Sequence, residues 1–242
     1  MSATTGVLNL EVRPLQTKPF PHVAREEFVD GNLYRQLTGS FPTCRASSGP
    51  TGWSLYWGDP EYDELIGRDG PWARLFRAFH CQEFVDYCLA QFMPLFKRHG
   101  TIDLSRARYV AYRESREDKE RRHIQSVRHA PDEIWVRMDV HQGMVGYKRV
   151  PHVDHRRRLV SMLIYFCDQR EIGMAGGELV LLPRRRWVLP WEPLTVSPAH
   201  NRMAAFACAP RSWHLVPEIT AQRSPRNFIQ VALSSSVDAW RE

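Results

Sequence analysis

Two histidines and one aspartate stand where a metal ion would find them. His152 and Asp154 flank a single valine in Pro151-His152-Val153-Asp154, and His214 follows sixty-two positions after His152, in Ser-Trp-His-Leu-Val-Pro. Two imidazoles and one carboxylate are the ligand set of a mononuclear non-haem Fe(II) site that leaves coordination positions open for a co-substrate and oxygen. The one-residue spacer suits a strand end, where residues i and i+2 point to the same side and present an imidazole and a carboxylate to one ion. The pair alone is cheap. Ten histidines among 242 residues, with twelve aspartates, give about 0.5 chance occurrences of His-x-Asp, so the specificity has to come from the elements around it.

Those elements change character along the chain. Over the first hundred residues helical spacing dominates: Ala24 to Leu37 carries Phe28, Leu33 and Leu37, and Pro71 to Phe96 carries Leu75, Phe79, Val85, Cys88, Leu89 and Phe92. Pro71 suits a first helical turn. Between them, 39–70 is rich in Gly, Ser, Pro and aromatic residues (Trp53, Tyr56, Trp57, Tyr62) without a clear period, which predicts a long ordered loop that approaches a site or packs the helices on the core. From Arg106 onward short β-type segments follow: Tyr109 to Tyr112, Ile134 to Val140, Leu159 to Phe166, Glu178 to Leu182, Met203 to Cys208 and Asn227 to Leu233. Many short strands of this kind predict a sandwich or jelly roll. The charged segment Glu114 to His129 reads as helix, loop or lid. No linker divides the chain, so a single domain over 1–242 is expected, with 1–105 as mainly helical support and 106–236 as the jelly-roll core.

Composition narrows the function classes. At 242 residues the chain has length enough for a proper core without a staple. No apolar run approaches the roughly 20 residues of a membrane span, and the N-terminus lacks a basic region followed by an apolar one, so a soluble, cytoplasmic protein is expected. Cys44, Cys81, Cys88, Cys167 and Cys208 are odd in number and contain no Cys-x-x-Cys pair, which predicts reduced thiols. The net charge of +6 is spread among acidic residues or held in the short clusters Arg156-Arg157-Arg158 and Arg184-Arg185-Arg186, a solvated surface rather than a nucleic-acid footprint. Neither a Ser/His/Asp or Cys/His arrangement nor a Gly-rich phosphate loop occurs at a convincing spacing, which disfavours hydrolases and nucleotide triphosphatases.

The order of segments supplies what the His-x-Asp pair lacks. Met138 to Tyr147 leads into it, Leu159 to Phe166 follows, Gly176-Gly177-Glu178-Leu-Val-Leu-Leu turns into another strand, and Trp213-His214-Leu-Val-Pro precedes Arg226-Asn-Phe-Ile-Gln-Val-Ala-Leu. In this order, over roughly 106–236, the chain resembles the 2-oxoglutarate/Fe(II)-dependent oxygenases, specifically their prolyl-hydroxylase-like branch. The resemblance implies a double-stranded β-helix with N-terminal helices packed on it. It implies His152, Asp154 and His214 as iron ligands and Arg226 as the residue that clamps the distal carboxylate of 2-oxoglutarate, a task that suits a guanidinium's paired donors. The family's basic residue usually follows the distal histidine by nine or ten positions, whereas Arg226 follows by twelve; Arg223, nine after, is the competitor, and Arg226 is preferred because it opens the alternating strand. If Arg226 faces inward, so do Phe228 and Gln230, and Gln230 becomes a candidate for the co-substrate or substrate. Tyr165 offers a phenol near 2-oxoglutarate, unless parity turns Met162, Ile164 and Phe166 inward instead. His141 and His155 are expected at the surface or behind the ligands, and His200 in a turn.

The activity so implied is hydroxylation of an unactivated C–H bond with Fe(II), 2-oxoglutarate and O2 as reagents and succinate and carbon dioxide as products. The carboxylate of Asp154 argues against halogenation, since related halogenases carry a small residue there; desaturation, ring closure and demethylation remain open. A small molecule, an amino acid or a natural-product intermediate, is the expected substrate, with Lys148, Arg149 and Arg156 to Arg158 favouring an anionic group. A protein substrate docked by 114–133 is the alternative. From another class, a cupin-like metal-binding or ligand-sensing module would give Arg226 no role.

Overall fold

The computed structural model describes residues 6–43, 50–114, 129–183 and 192–241. Two mainly antiparallel sheets carry the fold. Eight strands form its centre: β4 (Glu133–Gly143), β5 (Arg149–His152), β6 (Arg158–Tyr165), β7 (Leu179–Leu181), β8 (Leu194–Val196), β9 (Met203–Ala207), β10 (His214–Val216) and β11 (Arg226–Ser234). They alternate between sheets, β9-β6-β11-β4 in the larger and β5-β10-β7-β8 in the smaller. Counted from β4 as the first, the orders are 6-3-8-1 and 2-7-4-5, the winding of a double-stranded β-helix, a jelly roll.

The larger sheet gains strands from outside that core. β1 (His22–Arg25) pairs with β9, β2 (Trp53–Leu55) with β4, and β3 (Arg108–Tyr109) runs parallel to β4. The N-terminal part thus adds two strands to its helices, α1 (Gly31–Gly39), α2 (Pro60–Gly67), α3 (Pro71–Phe79) and α4 (Gln82–His99). Asp30 caps α1, its carboxylate accepting from the Asn32 and Leu33 amides at 3.1 and 2.9 Å. The single helix expected over 71–96 is two, because His80 and Cys81 leave helical geometry and the His80 ring turns back to bond the Phe76 carbonyl at 2.9 Å. Within the expected loop 39–70 lie β2 and α2, and Tyr62 is fully buried with its hydroxyl on the Met138 carbonyl at 2.7 Å. The segment 115–128 and Arg184 to Arg186 lie outside the described residues.

Strand alternation sorts the larger sheet into two faces. Ile134, Val136, Met138 and Val140 of β4, Met162 and Ile164 of β6, and Ile229, Val231 and Leu233 of β11 pack against helical residues such as Leu75, Phe79, Phe84 and Phe92. Each such fully buried side chain contributes about 1.5–3 kcal/mol, so the helices are a structural layer. The opposite face, with Leu163, Tyr165, Phe206 and Phe228, turns toward the smaller sheet and holds the second apolar cluster. Between β6 and β7, Gly176 and Gly177 adopt φ of +80° and +82°, and a Cβ on Gly176 would sit 1.9 Å from the Glu218 carbonyl oxygen, so only glycine fits this close approach. Among the described residues no helix is long and apolar enough to cross a membrane.

Candidate metal centre and co-substrate site

His152 ends β5 and His214 begins β10, and the two are direct register partners across that antiparallel pair. Their ring centroids lie 4.2 Å apart. Asp154 follows His152 in the connection to β6, and the three side chains offer ligand atoms that all lie within 4.8 Å of one another. His152 Nδ1 lies 2.8 Å from the Val150 carbonyl and His214 Nδ1 3.0 Å from that of Ser212. A carbonyl only accepts, so each Nδ1 carries its proton and donates, leaving the Nε2 lone pair for a metal. The donor set, two neutral imidazole nitrogens and one carboxylate, fits Fe(II).

The carboxylate is held from several sides. Arg158 Nη1 lies 3.2 Å from Asp154 Oδ1, and the Cys208 thiol donates to Oδ2 at 3.7 Å. Burial pushes the Asp154 carboxyl up, and the Arg158 guanidinium beside it pulls it the other way, leaving the group below its ordinary value. Burial also pulls His214 below the ordinary histidine range, against the attraction of Asp154, which keeps its ring neutral and fit to ligate. The Cys208 thiol, buried beside Asp154, is raised well above its usual value and remains protonated.

Arg226 opens β11 and is completely buried. Its guanidinium lies 4.1 Å from the Phe228 ring centroid, 5.2 Å from that of Tyr165 and 5.7 Å from that of Tyr147, with Nη2 at 3.5 Å from the Tyr165 hydroxyl. Its Nε and Nη1 have no hydrogen-bond partner among the described residues. A buried unpaired charge costs several kcal/mol, so this guanidinium calls for an anion. Arg223 is exposed and spends Nη2 on the Glu171 carbonyl at 3.0 Å. Parity turns Tyr165 to the inner face, where burial raises its phenol despite the neighbouring Arg226. Gln230 shares the face of Arg226 and Phe228, and its Nε2 donates to Ser161 Oγ at 3.3 Å.

Sequence reasoning missed the rest of this wall. Tyr147 and Arg158 join it, as do Arg137 and Asp139 of β4, both buried and paired at 2.9 Å from Nε to Oδ1. His141 is buried, stacked on Phe228 at 4.9 Å with its Nδ1 2.6 Å from the Ser54 hydroxyl, and is not among the three grouped metal-ligand candidates. His155 accepts from the Arg157 amide at 3.2 Å, and His200 sits in a turn, 2.7 Å from Glu171. The signal available was the alternation Arg137-x-Asp139-x-His141 against Val136, Met138 and Val140. It reads as a solvent face until a second sheet is known to cover it.

A jelly roll that brings two imidazoles and a carboxylate together, with a buried arginine on its last strand that has no anionic partner among the described residues, is an arrangement that could hold Fe(II) beside a 2-oxo acid. Residues 138–232 match the model of the 2OG-Fe(II) oxygenase superfamily. A prolyl-4-hydroxylase from Pseudomonas putida is similar over 88% of this chain and 92% of its own, at 14% identity and a TM-score of 0.51. A prolyl 4-hydroxylase structure from Phytophthora capsici is similar over 89% of this chain and 59% of its own, at 16% identity and a TM-score of 0.50. Likeness at these identities establishes the fold. A comparison with curated protein sequences found no match.

Proposed function

We propose that the protein hydroxylates an unactivated C–H bond of a small molecule, with His152, Asp154 and His214 holding Fe(II) and Arg226 holding 2-oxoglutarate. The observation that carries this reading is the pairing of the triad with a buried guanidinium whose Nε and Nη1 await a partner. Arg226 takes the distal carboxylate of 2-oxoglutarate through parallel charge-assisted bonds. Tyr165 shares the guanidinium and fixes its plane, while Phe228 and Tyr147 exclude water from it. The chemistry supplied at such a centre is oxygen activation coupled to decarboxylation of 2-oxoglutarate. Arg158 and Cys208 keep the Asp154 carboxylate oriented, and the carbonyls of Val150 and Ser212 keep both imidazoles in the ligating tautomer. Asp154 also favours hydroxylation over halogenation, because a carboxylate fills the place a halide would need. The whole chain acts as one domain in this reading, in the cytoplasm.

The test is Fe(II)-dependent release of succinate from 2-oxoglutarate by the purified protein, followed with and without pools of small metabolites. Fe(II) uptake with neither succinate release nor any change in melting temperature on adding 2-oxoglutarate would favour a metal-binding module instead.

A further inference from the structure

Strict alternation along β6 would turn Arg158 away from the triad. Val160, Met162 and Ile164 all pack on the helical layer, and Arg158 continues their series. Arg158 nevertheless reaches Asp154, with Nη1 3.2 Å from Oδ1. The reason is a bulge. Ser234 of β11 pairs with Arg158 and Leu233 with Val160, so the register skips Leu159, which packs beside Val160 in the helical cluster. One extra residue reverses the parity and aims Arg158 at the metal ligand.

A bulge leaves backbone groups outside the ladder, and the chain beyond β11 supplies partners for them. The successive carbonyls of Arg156, Arg157 and Arg158 accept from the Ala239 amide at 2.9 Å, the Ser235 amide at 2.9 Å and the Trp240 indole N–H at 2.7 Å. Trp240 is buried, with its ring 5.1 Å from that of Phe96 on α4. The flanking backbone is tied to the end of the same helix: the Thr101 amide donates to the Ala239 carbonyl at 3.0 Å and the Arg241 amide to that of His99 at 2.9 Å. The indole is therefore a donor fixed on a rigid frame. Its acceptor belongs to a residue with a choice of partners, because the carboxylates of Glu114 and Asp139 act on the Arg158 guanidinium together with that of Asp154. Among three acids, the direction in which the bulge aims the side chain decides which one it serves.

We propose that Trp240 is a positioning residue of the metal centre: its indole N–H fixes the Arg158 carbonyl, and with it the bulge that sets the Arg158 guanidinium on Asp154. This rests on the metal triad of the oxygenase reading above and extends the site from its ligands to the C-terminal segment. The effect of Trp240 passes through Arg158 to the carboxylate that holds the ion.

The test is a double-mutant cycle read in Fe(II) affinity, by titration of the purified protein without oxygen. Trp240→Phe keeps a ring against Phe96 and removes the donor, and it should weaken Fe(II) binding about tenfold. The KM for 2-oxoglutarate, set at Arg226, should stay within about twofold. Arg158→Gln should weaken Fe(II) binding at least as much, and adding Trp240→Phe to it should cost less than about a further twofold, because both changes act on one contact. Losses that multiply in the double variant overturn the proposal, as does wild-type affinity in Trp240→Phe. Leu75→Val, in the helical layer, controls for general destabilisation: it should lower the melting temperature and leave Fe(II) affinity within about twofold. An equal loss of affinity there would make Trp240 a packing residue and overturn its positioning role. Should Trp240→Phe not fold, the wild-type protein decides. Coupling between sites is reciprocal, so loading the protein with diamagnetic Zn(II) should slow hydrogen exchange of the Trp240 indole and of the Ser235 and Ala239 amides. Unchanged exchange at all three overturns the proposal. If His152→Ala leaves Fe(II) binding intact, the triad assignment fails and this inference with it; if His152→Ala weakens binding and Trp240→Phe does not, this inference alone fails.

Discussion

His152 and His214 are register partners on β5 and β10, with ring centroids 4.2 Å apart, although sixty-two residues separate them in the chain. The pairing of two short strands is what turns a His-x-Asp pair and a remote histidine into one donor set.

If that donor set binds iron, His152→Ala and Asp154→Ala should each abolish Fe(II)-dependent succinate release and weaken Fe(II) binding by at least about a hundredfold, the cost of one ligand of three. Metal titration and succinate assay check both. Retained turnover in both variants would sink the assignment of the site.

Arg226 and Arg223 separate cleanly. Arg226→Ala removes the buried partner of the distal carboxylate and should raise the 2-oxoglutarate KM by about a hundredfold, from charge-assisted bonds worth about 3 kcal/mol. Arg223→Ala removes an exposed bond to the Glu171 carbonyl and should change it less than about threefold. Steady-state kinetics in 2-oxoglutarate decide, and the opposite order would move the clamp to Arg223. Because Arg226 is buried without an ionic partner among the described residues, Arg226→Met should also leave the ligand-free protein at least as stable as the wild type, measured by thermal melting.

Gly176→Ala forces a Cβ to within 1.9 Å of the Glu218 carbonyl oxygen at a φ of +80°. Strain of this kind costs about 1–3 kcal/mol before the clash is counted. Denaturant unfolding should show a loss at the top of that range or beyond, and a change below about 1 kcal/mol would mean that the turn can open.

His80 provides a pH dependence away from the metal. Burial lowers its pKa from 6.5 to about 4, against the hydrogen bond to the Phe76 carbonyl. Between those values the unfolded chain binds a proton that the folded one refuses, so its stability contribution is full above pH 6.5 and falls as the pH drops toward 4. The whole excursion is worth about 3 kcal/mol. His80→Phe should flatten the acid limb of stability over that window, measured by urea unfolding at several pH values; an unchanged limb would assign it to other groups.

The sequence by itself determined the elements with a strong period and the residues with distinctive chemistry. β4 and β11 carry alternation and β6 and β9 near-continuous apolar runs, so hydrophobic patterning marks all four. His152, Asp154, His214 and Arg226 stand out by type, and the Gly176-Gly177 turn by backbone need. The strands β5, β8 and β10 escaped because three or four residues, one of them Pro151, carry too little period to be told from loop. Only the tertiary structure decided which face of β4 is inside, because alternation gives two faces and cannot say that a second sheet covers the polar one. That choice buries Arg137, Asp139 and His141, and parity on β6 turns Tyr165 and not Met162 to the same wall. It also decided between Arg226 and Arg223 as the buried cation, a difference of three positions in the chain that becomes, once Arg226 pairs with Gly143 of β4, the difference between the buried interior and open solvent.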